Sequence, residues 1–207
     1  MTMNITLYQN DLPENHKLDN AQSVAIDAES LGLNYKGRDK LCLLQLCSGD
    51  EDVFIIQFDR NNYKSPNLAK ILKNENILKI AHFARFEIGI IKHYLGIEIR
   101  NIYCTKIASK LCRTYTDKHG LYDITRELLN ITLNKSQQSS DWGLKDLSEE
   151  QKQYAALDVL YLHRLKEKLD LMLKREKREE LSKACFNFLN TRTDLDLGGW
   201  EEDIFNH

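Results

Sequence analysis

The sequence predicts a single α/β domain, a mixed β-sheet covered by helices on both faces. Three observations predict it. Short apolar, β-branched runs bounded by turn residues fill the first half. From Thr105 onward the spacing of apolar residues becomes helical. The length, 207 residues, suits one domain able to bury a full core. Strands first and helices later, with crossovers between them, is the order of an α/β fold. We expect one unit over 1–207, with its core at about 20–170 and a helical extension and tail at about 171–207.

Taken in order, strand-like runs cover Val24 to Glu29, Leu41 to Cys47 and Val53 to Phe58. Ser48-Gly49-Asp50 supplies turn chemistry between the second and third, which implies an antiparallel start to the sheet. A helical segment around Leu68 to Leu72 leads to a fourth strand, Ile77 to Ala81. A helix near Phe83 to Tyr94 follows, closed by Gly96, and Ile97 to Ile102 reads as a short fifth strand, at an edge or parallel to its neighbour. Ile107 and Leu111, then Leu121, Ile124, Leu128 and Leu129, recur at three and four residues. Ser148-Glu149-Glu150-Gln151 fits a capping box, in which serine and glutamine side chains satisfy unpaired amides at a helix start. Helical spacing then runs to about Leu189, long enough that a break is expected near Lys174 to Arg178.

Composition narrows the function classes. Met1 to Asn20 is polar and mixed in charge, and no apolar run approaches the ~18 residues of a membrane span, so a cytoplasmic protein without a membrane partner is expected. Five cysteines without a C-x-x-C pair read as buried thiols. The formal net charge of −2 shows no basic surplus for phosphate, although carboxylates in a catalytic site would mask one. Arg113, Lys118, Arg126 and Lys135 fall in one stretch, which fits either a solvated helix face or a phosphate-binding patch.

Three acidic features stand out. In Ala25-Ile26-Asp27-Ala28-Glu29 the carboxylates lie two apart, so on a strand they point to one side; their repulsion favours a divalent cation between them, although D-x-E also fits a solvated strand end. Tyr154 and Asp158 are four apart on the capped helix and share a face, although an aromatic on the apolar face with a surface aspartate one turn on also fits the spacing. Apolar neighbours at Ala155, Ala156, Leu157 and Leu160 make that helix buried nearly all round, where an unpaired aspartate is costly. Ile80 to Glu87 reads as a strand running into a helix with Glu87 in its first turns, a position that the helix dipole alone would also favour.

Together these segments resemble the ribonuclease D family, the tyrosine-containing branch of the DEDD 3'-5' exonucleases. The resemblance runs from about Val24 to Lys168. Asp27 and Glu29 match its first motif, His82 to Glu87 its second, and Tyr154 with Asp158 its third, and Lys135 to Trp142 with Leu147-Ser148 adds to the likeness. The ending at His207 is similar to short bacterial forms that lack accessory helical domains. One departure is Glu87, where the family has aspartate; the charge stays, the reach grows by a methylene, and retained but weakened activity follows as an expectation.

The resemblance implies a ribonuclease H-like fold and hydrolysis of phosphodiesters from the 3' end of RNA, as in tRNA maturation or RNA turnover, with release of nucleoside 5'-monophosphates. It implies two divalent cations, Mg²⁺ or Mn²⁺, held by Asp27, Glu29, Glu87 and Asp158, with Tyr154 orienting the attacking water. All-oxygen ligands suit these ions, whereas zinc prefers histidine or cysteine. His119 and His163 are left as structural or surface residues. Leu31 and Phe83 are candidates for stacking on bases and Arg85 for a phosphate contact, each with a packing or surface alternative, and Trp142 is expected to pack the loop before the capped helix. A DNA substrate, or a non-catalytic nucleic-acid-binding module, are the alternatives.

Overall fold

The computed structural model describes residues 3–134, 136–200, 202, 204 and 206. Strands β1 (Asn4–Gln9), β2 (Ser23–Ser30), β3 (Leu41–Cys47), β4 (Asp52–Gln57), β5 (Leu78–Ala81) and β6 (Ile102–Cys104) form one sheet in the order β1-β4-β3-β2-β5-β6. The pairs β2/β3 and β3/β4 are antiparallel, whereas β1 joins β4, β5 joins β2 and β6 joins β5 in parallel, so the sheet is mixed as expected. All seven residues of β3 are buried, which requires cover on both faces. Helices α1 (Pro66–Lys73), α2 (Ala84–Leu95), α3 (Thr105–Cys112), α4 (Leu121–Leu129), α5 (Glu149–Leu160), α6 (Leu162–Arg175) and α7 (Glu179–Leu197) surround the sheet, and one apolar cluster from Leu12 to Leu189 unites them.

Several elements differ from the sequence expectation. β1 is an extra strand, drawn from the polar opening segment; at this sheet edge Ile5, Leu7 and Tyr8 are half-buried while Asn4, Thr6 and Gln9 are exposed. The strand expected over Ile97 to Ile102 begins only at Ile102. Gly96 ends α2 in the left-handed region (φ 65°), Ile97 and Ile99 are buried in the connection, and Asn101 at φ 54° turns the chain into β6. The break near Lys174 to Arg178 is present, with Lys177 at φ 56°. A second one at Tyr161 separates α5 from α6 and lets His163 Nε2 reach Ser23 Oγ at 3.0 Å. Among the described residues, no helix is long and apolar enough to cross a membrane.

Candidate active site

Three elements converge on one end of β2. Alternation along β2 leaves Asp27 and Glu29 half-buried while Val24, Ala25, Ile26 and Ala28 are buried, and a bulge between Glu29 and Ser30 ends the regular ladder with β3. Opposite lies α5. Its capping box is present: Gln151 N–H donates to Ser148 Oγ at 3.2 Å and Ser148 N–H to Gln151 Oε1 at 2.9 Å. Gln151 Nε2 also donates to Ser140 Oγ (2.7 Å) and the Asp141 carbonyl (3.0 Å), tying the preceding loop to the helix start. One turn further on, Tyr154 and Asp158 face the sheet. Oxygens of Asp27, Glu29 and Asp158 lie within 4.8 Å of one another.

The third element supplies Glu87. After β5, His82 is anchored through Nδ1 to Thr105 Oγ1 at 2.9 Å, and burial pushes its pKa down to about 3, so the ring is neutral. Phe83 then takes a left-handed conformation (φ 66°, ψ 43°) at the N-cap of α2. For a bulky residue this costs about 1–3 kcal/mol, a strain that tends to persist at functional sites. It starts α2 at the angle that carries Glu87, 4% exposed, toward the other carboxylates, and its Oε2 has no hydrogen-bond partner.

The electrostatics are those of uncompensated negative charge. Burial, then Glu87, Asp158 and Glu29, hold the Asp27 pKa well above the carboxylate range. Glu87 is raised by burial, Glu29 and Asp158, and Glu29 by burial and Asp158 to about 9. Asp158 is pushed by burial to about 7, with a hydrogen bond from the Tyr154 hydroxyl pulling the other way. No lysine or arginine figures among these influences. Tyr154 is itself raised, first by burial and then by Asp158, Glu29 and Asp27, so its hydroxyl keeps its proton. Three carboxylates at such distances fit a hard divalent cation with oxygen ligands, and the orphaned oxygen of buried Glu87, whose charge acts on Asp27, is a ligand atom without another use.

Leu31 and Phe83, each with packing as its alternative, are both exposed, at 44% and 45%. Phe83 borders a cleft of about 650 Å³ shared with Leu33, Tyr35 and Phe86, and Lys106 Nζ sits 4.2 Å over its ring. Leu31 borders a cleft of about 580 Å³ with Lys40, Arg60, Trp142 and Lys145. Gly143 lets the two walls meet there, because a Cβ at that position would collide with Arg60 Nη1 and Leu31 Cδ2. Trp142 is buried, its ring 5.9 Å from that of Tyr154, packing the loop against α5.

Arg85, expected as a phosphate contact or a surface residue, is bound through Nε and Nη2 to the Asp196 carboxylate, both at 2.6 Å. Arg192 Nη2 (2.8 Å) reaches the same carboxylate, and Lys36 Nζ (2.9 Å) the Asp196 carbonyl. The end of α7 thus anchors the start of α2, and a phosphate would have to share this guanidinium. The pairing spans 111 positions of sequence, so no local pattern signals it. The basic stretch does not form one patch. Arg113 is fully buried, held by Glu127, Ser109 Oγ and the Lys118 carbonyl, and Arg126 stacks on Tyr122. Lys135 lies outside the described residues.

A family model described as 3'-5' exonuclease matches residues 7–174. The chain belongs to the 3'-5' exonuclease family. This exonuclease resembles NrnC of Brucella melitensis over the full length of both chains, at 50% identity with a TM-score of 0.95 in the form bound to pGG. The form with bound Mg²⁺ is 49% identical, covers 99% of this chain and all of that one, and has a TM-score of 0.94. Ribonuclease D of Bartonella henselae is 32% identical over 139 residues, which are 67% of this exonuclease and 34% of that relative. The chain therefore spans about a third of the length of the curated relatives it first matches. The family and fold expected from the motifs hold, and the mixed sheet with helices is the ribonuclease H-like exonuclease fold.

Proposed function

We propose that this exonuclease is a 3'-5' exoribonuclease that shortens RNA from a free 3' end and releases nucleoside 5'-monophosphates, in tRNA maturation or RNA turnover. The observation that carries the reading is the meeting of Asp27, Glu29 and Asp158 within 4.8 Å beside buried Glu87, with no cationic side chain among the groups that shift their pKa values. In this reading residues 1–207 act as one unit, and these four residues hold two divalent cations, Mg²⁺ or Mn²⁺. The NrnC forms with Mg²⁺ and with pGG support a divalent ion and a nucleic-acid ligand. When bound, such ions neutralise charge on the phosphoryl oxygens and lower the pKa of water.

The chain's own residues do the rest. Tyr154 stays protonated and donates to Asp158, so its oxygen is fixed beside the carboxylates with a lone pair available to orient water. Glu87 serves as an acid of longer reach in place of the family aspartate; its burial and unpartnered oxygen favour ion holding over a binding-only module. Phe83 and Leu31 present exposed apolar surface to the terminal bases.

Two outcomes follow. Tyr154→Phe is expected to lower kcat by about 100-fold with KM little changed, because water orientation is lost while substrate contacts remain; steady-state kinetics on a short labelled RNA will read the split. Phe83→Ala should instead raise KM by about tenfold with kcat nearly kept, since stacking is worth roughly 1–3 kcal/mol per base. Equal effects of both variants on both constants would contradict these roles.

The whole reading is tested with 5'-labelled RNA and the matching DNA, each with Mg²⁺, Mn²⁺ or EDTA. A ladder shrinking from the 3' end of RNA and abolished by EDTA supports it. Faster shortening of DNA would transfer the activity to that polymer, binding without shortening would make the chain a binding module, and internal cuts would sink the exonuclease mechanism.

A further inference from the structure

In the middle of the fully buried strand β3, Gln45 stands between Leu44 and Leu46. It is 0% exposed, and neither its Nε2 nor its Oε1 has a hydrogen-bond partner. Leaving a buried amide unpaired costs about 1–3 kcal/mol, and a leucine or methionine would fill such a position without that cost. An expensive polar group in an apolar layer marks either a defect or a task.

The register names the task. Gln45 lies directly opposite Asp27 in the antiparallel β2/β3 pair. Residues so opposed project from the same face with Cβ atoms about 4.5–5.5 Å apart, within reach of a glutamine side chain. The same face carries Glu29, two residues along β2. α5, which packs on β2, β3 and β4, closes it with Asp158 and with the small residues Ala155 and Ala156.

We infer that Gln45 is a positioning residue for Asp27: its amide Nε2–H donates to the Asp27 carboxylate when that carboxylate engages a cation. The inference rests on the proposed role of Asp27 as a cation ligand. Hydrogen bonds from outer residues to ligating carboxylates fix their orientation, and losing one commonly costs 10–100-fold in metal affinity or activity.

Stability and function should therefore part company at this position. Gln45→Met keeps the volume and removes the orphaned amide, so the variant in EDTA should melt at the wild-type temperature or a few degrees above it. Its Mg²⁺ affinity, measured by calorimetry without substrate, should fall by about tenfold, and kcat by a similar factor with KM unchanged. Wild-type Mg²⁺ affinity and kcat in Gln45→Met would overturn the inference, as would a variant that is destabilised in EDTA but binds Mg²⁺ normally. Asp27→Asn in the same titration separates the two levels. If it binds Mg²⁺ as well as wild type, the site assignment itself fails; if it does not and Gln45→Met does, only the role of Gln45 fails.

Discussion

Replacing Asp27 with asparagine is expected to lower kcat by about 10³-fold or more while making the metal-free protein more stable. Both effects come from one feature, the meeting of Asp27, Glu29 and Asp158 beside Glu87, with no lysine or arginine among the groups that shift their pKa values. Asp27 feels Glu87, Asp158 and Glu29 together. Its carboxylate is one of three whose oxygens lie within 4.8 Å of one another, and a neutral amide there removes attraction for a cation. Metal assistance in phosphoryl chemistry is worth several kcal/mol, and ~4 kcal/mol corresponds to about 10³ in rate. The same exchange removes repulsion that the folded chain otherwise carries, so melting in EDTA should rise by a few degrees. Single-turnover cleavage of a labelled RNA and calorimetry in EDTA measure the two halves. A variant that keeps even a tenth of wild-type turnover would end the assignment of Asp27, whatever its melting temperature.

How much of this was legible in the sequence varies with how local the cause is. D-x-E on a β-strand, Y-x-x-x-D on a helix and the Ser148–Gln151 box are patterns of a few residues whose geometry follows from period alone, and the structure displays each. Glycine at position 96 closes α2 for an equally local reason. β1 was hidden because Ile5 and Leu7 alternate with polar residues inside a polar segment, and only the docking of that segment beside β4 makes it a strand. The break at Tyr161 has no glycine or proline to announce it; beyond it α6 packs on α3 and α4. The clasp of Asp196 on Arg85, Arg192 and Lys36 joins three distant segments, which no window of sequence contains. Gln45 did leave a local trace, one amide in the run Leu41 to Cys47, but its meaning depends on the register that sets it across from Asp27. At Phe83 the sequence offers base stacking with core packing as its alternative; the left-handed backbone at the start of α2 and 45% exposure come only with the structure.

In EDTA the melting temperature of this protein should fall as pH rises from 6 to 9, by on the order of 10 °C, and Mg²⁺ should reverse the trend. Glu29 titrates at about 9 in the folded chain against 4.5 ordinarily, and Asp158 at about 7 against 3.8; Asp27 and Glu87 shift in the same direction. A folded-state pKa above the unfolded one means that the folded protein holds the proton more tightly. The stabilising contribution is then whole below about pH 4 and is lost as pH climbs first through about 7 and then through about 9. Lys79 opposes this at the alkaline end. It is buried, with its Nζ on the Asn74 and Ile77 carbonyls at 2.6 Å, and burial lowers its pKa to about 8, so it restores stability as pH rises from about 8 toward 10.5. The fall should accordingly be steepest between pH 6 and 8. Mg²⁺ competes with protons for the same oxygens, so the stabilisation it confers should grow over the same interval. Asp27→Asn, with less charge to protonate, should show a shallower fall in EDTA. A metal-free melting curve that is flat or rising from pH 6 to 8 would mean that the four carboxylates are not forced together, and the site would lose its electrostatic reason to bind a cation.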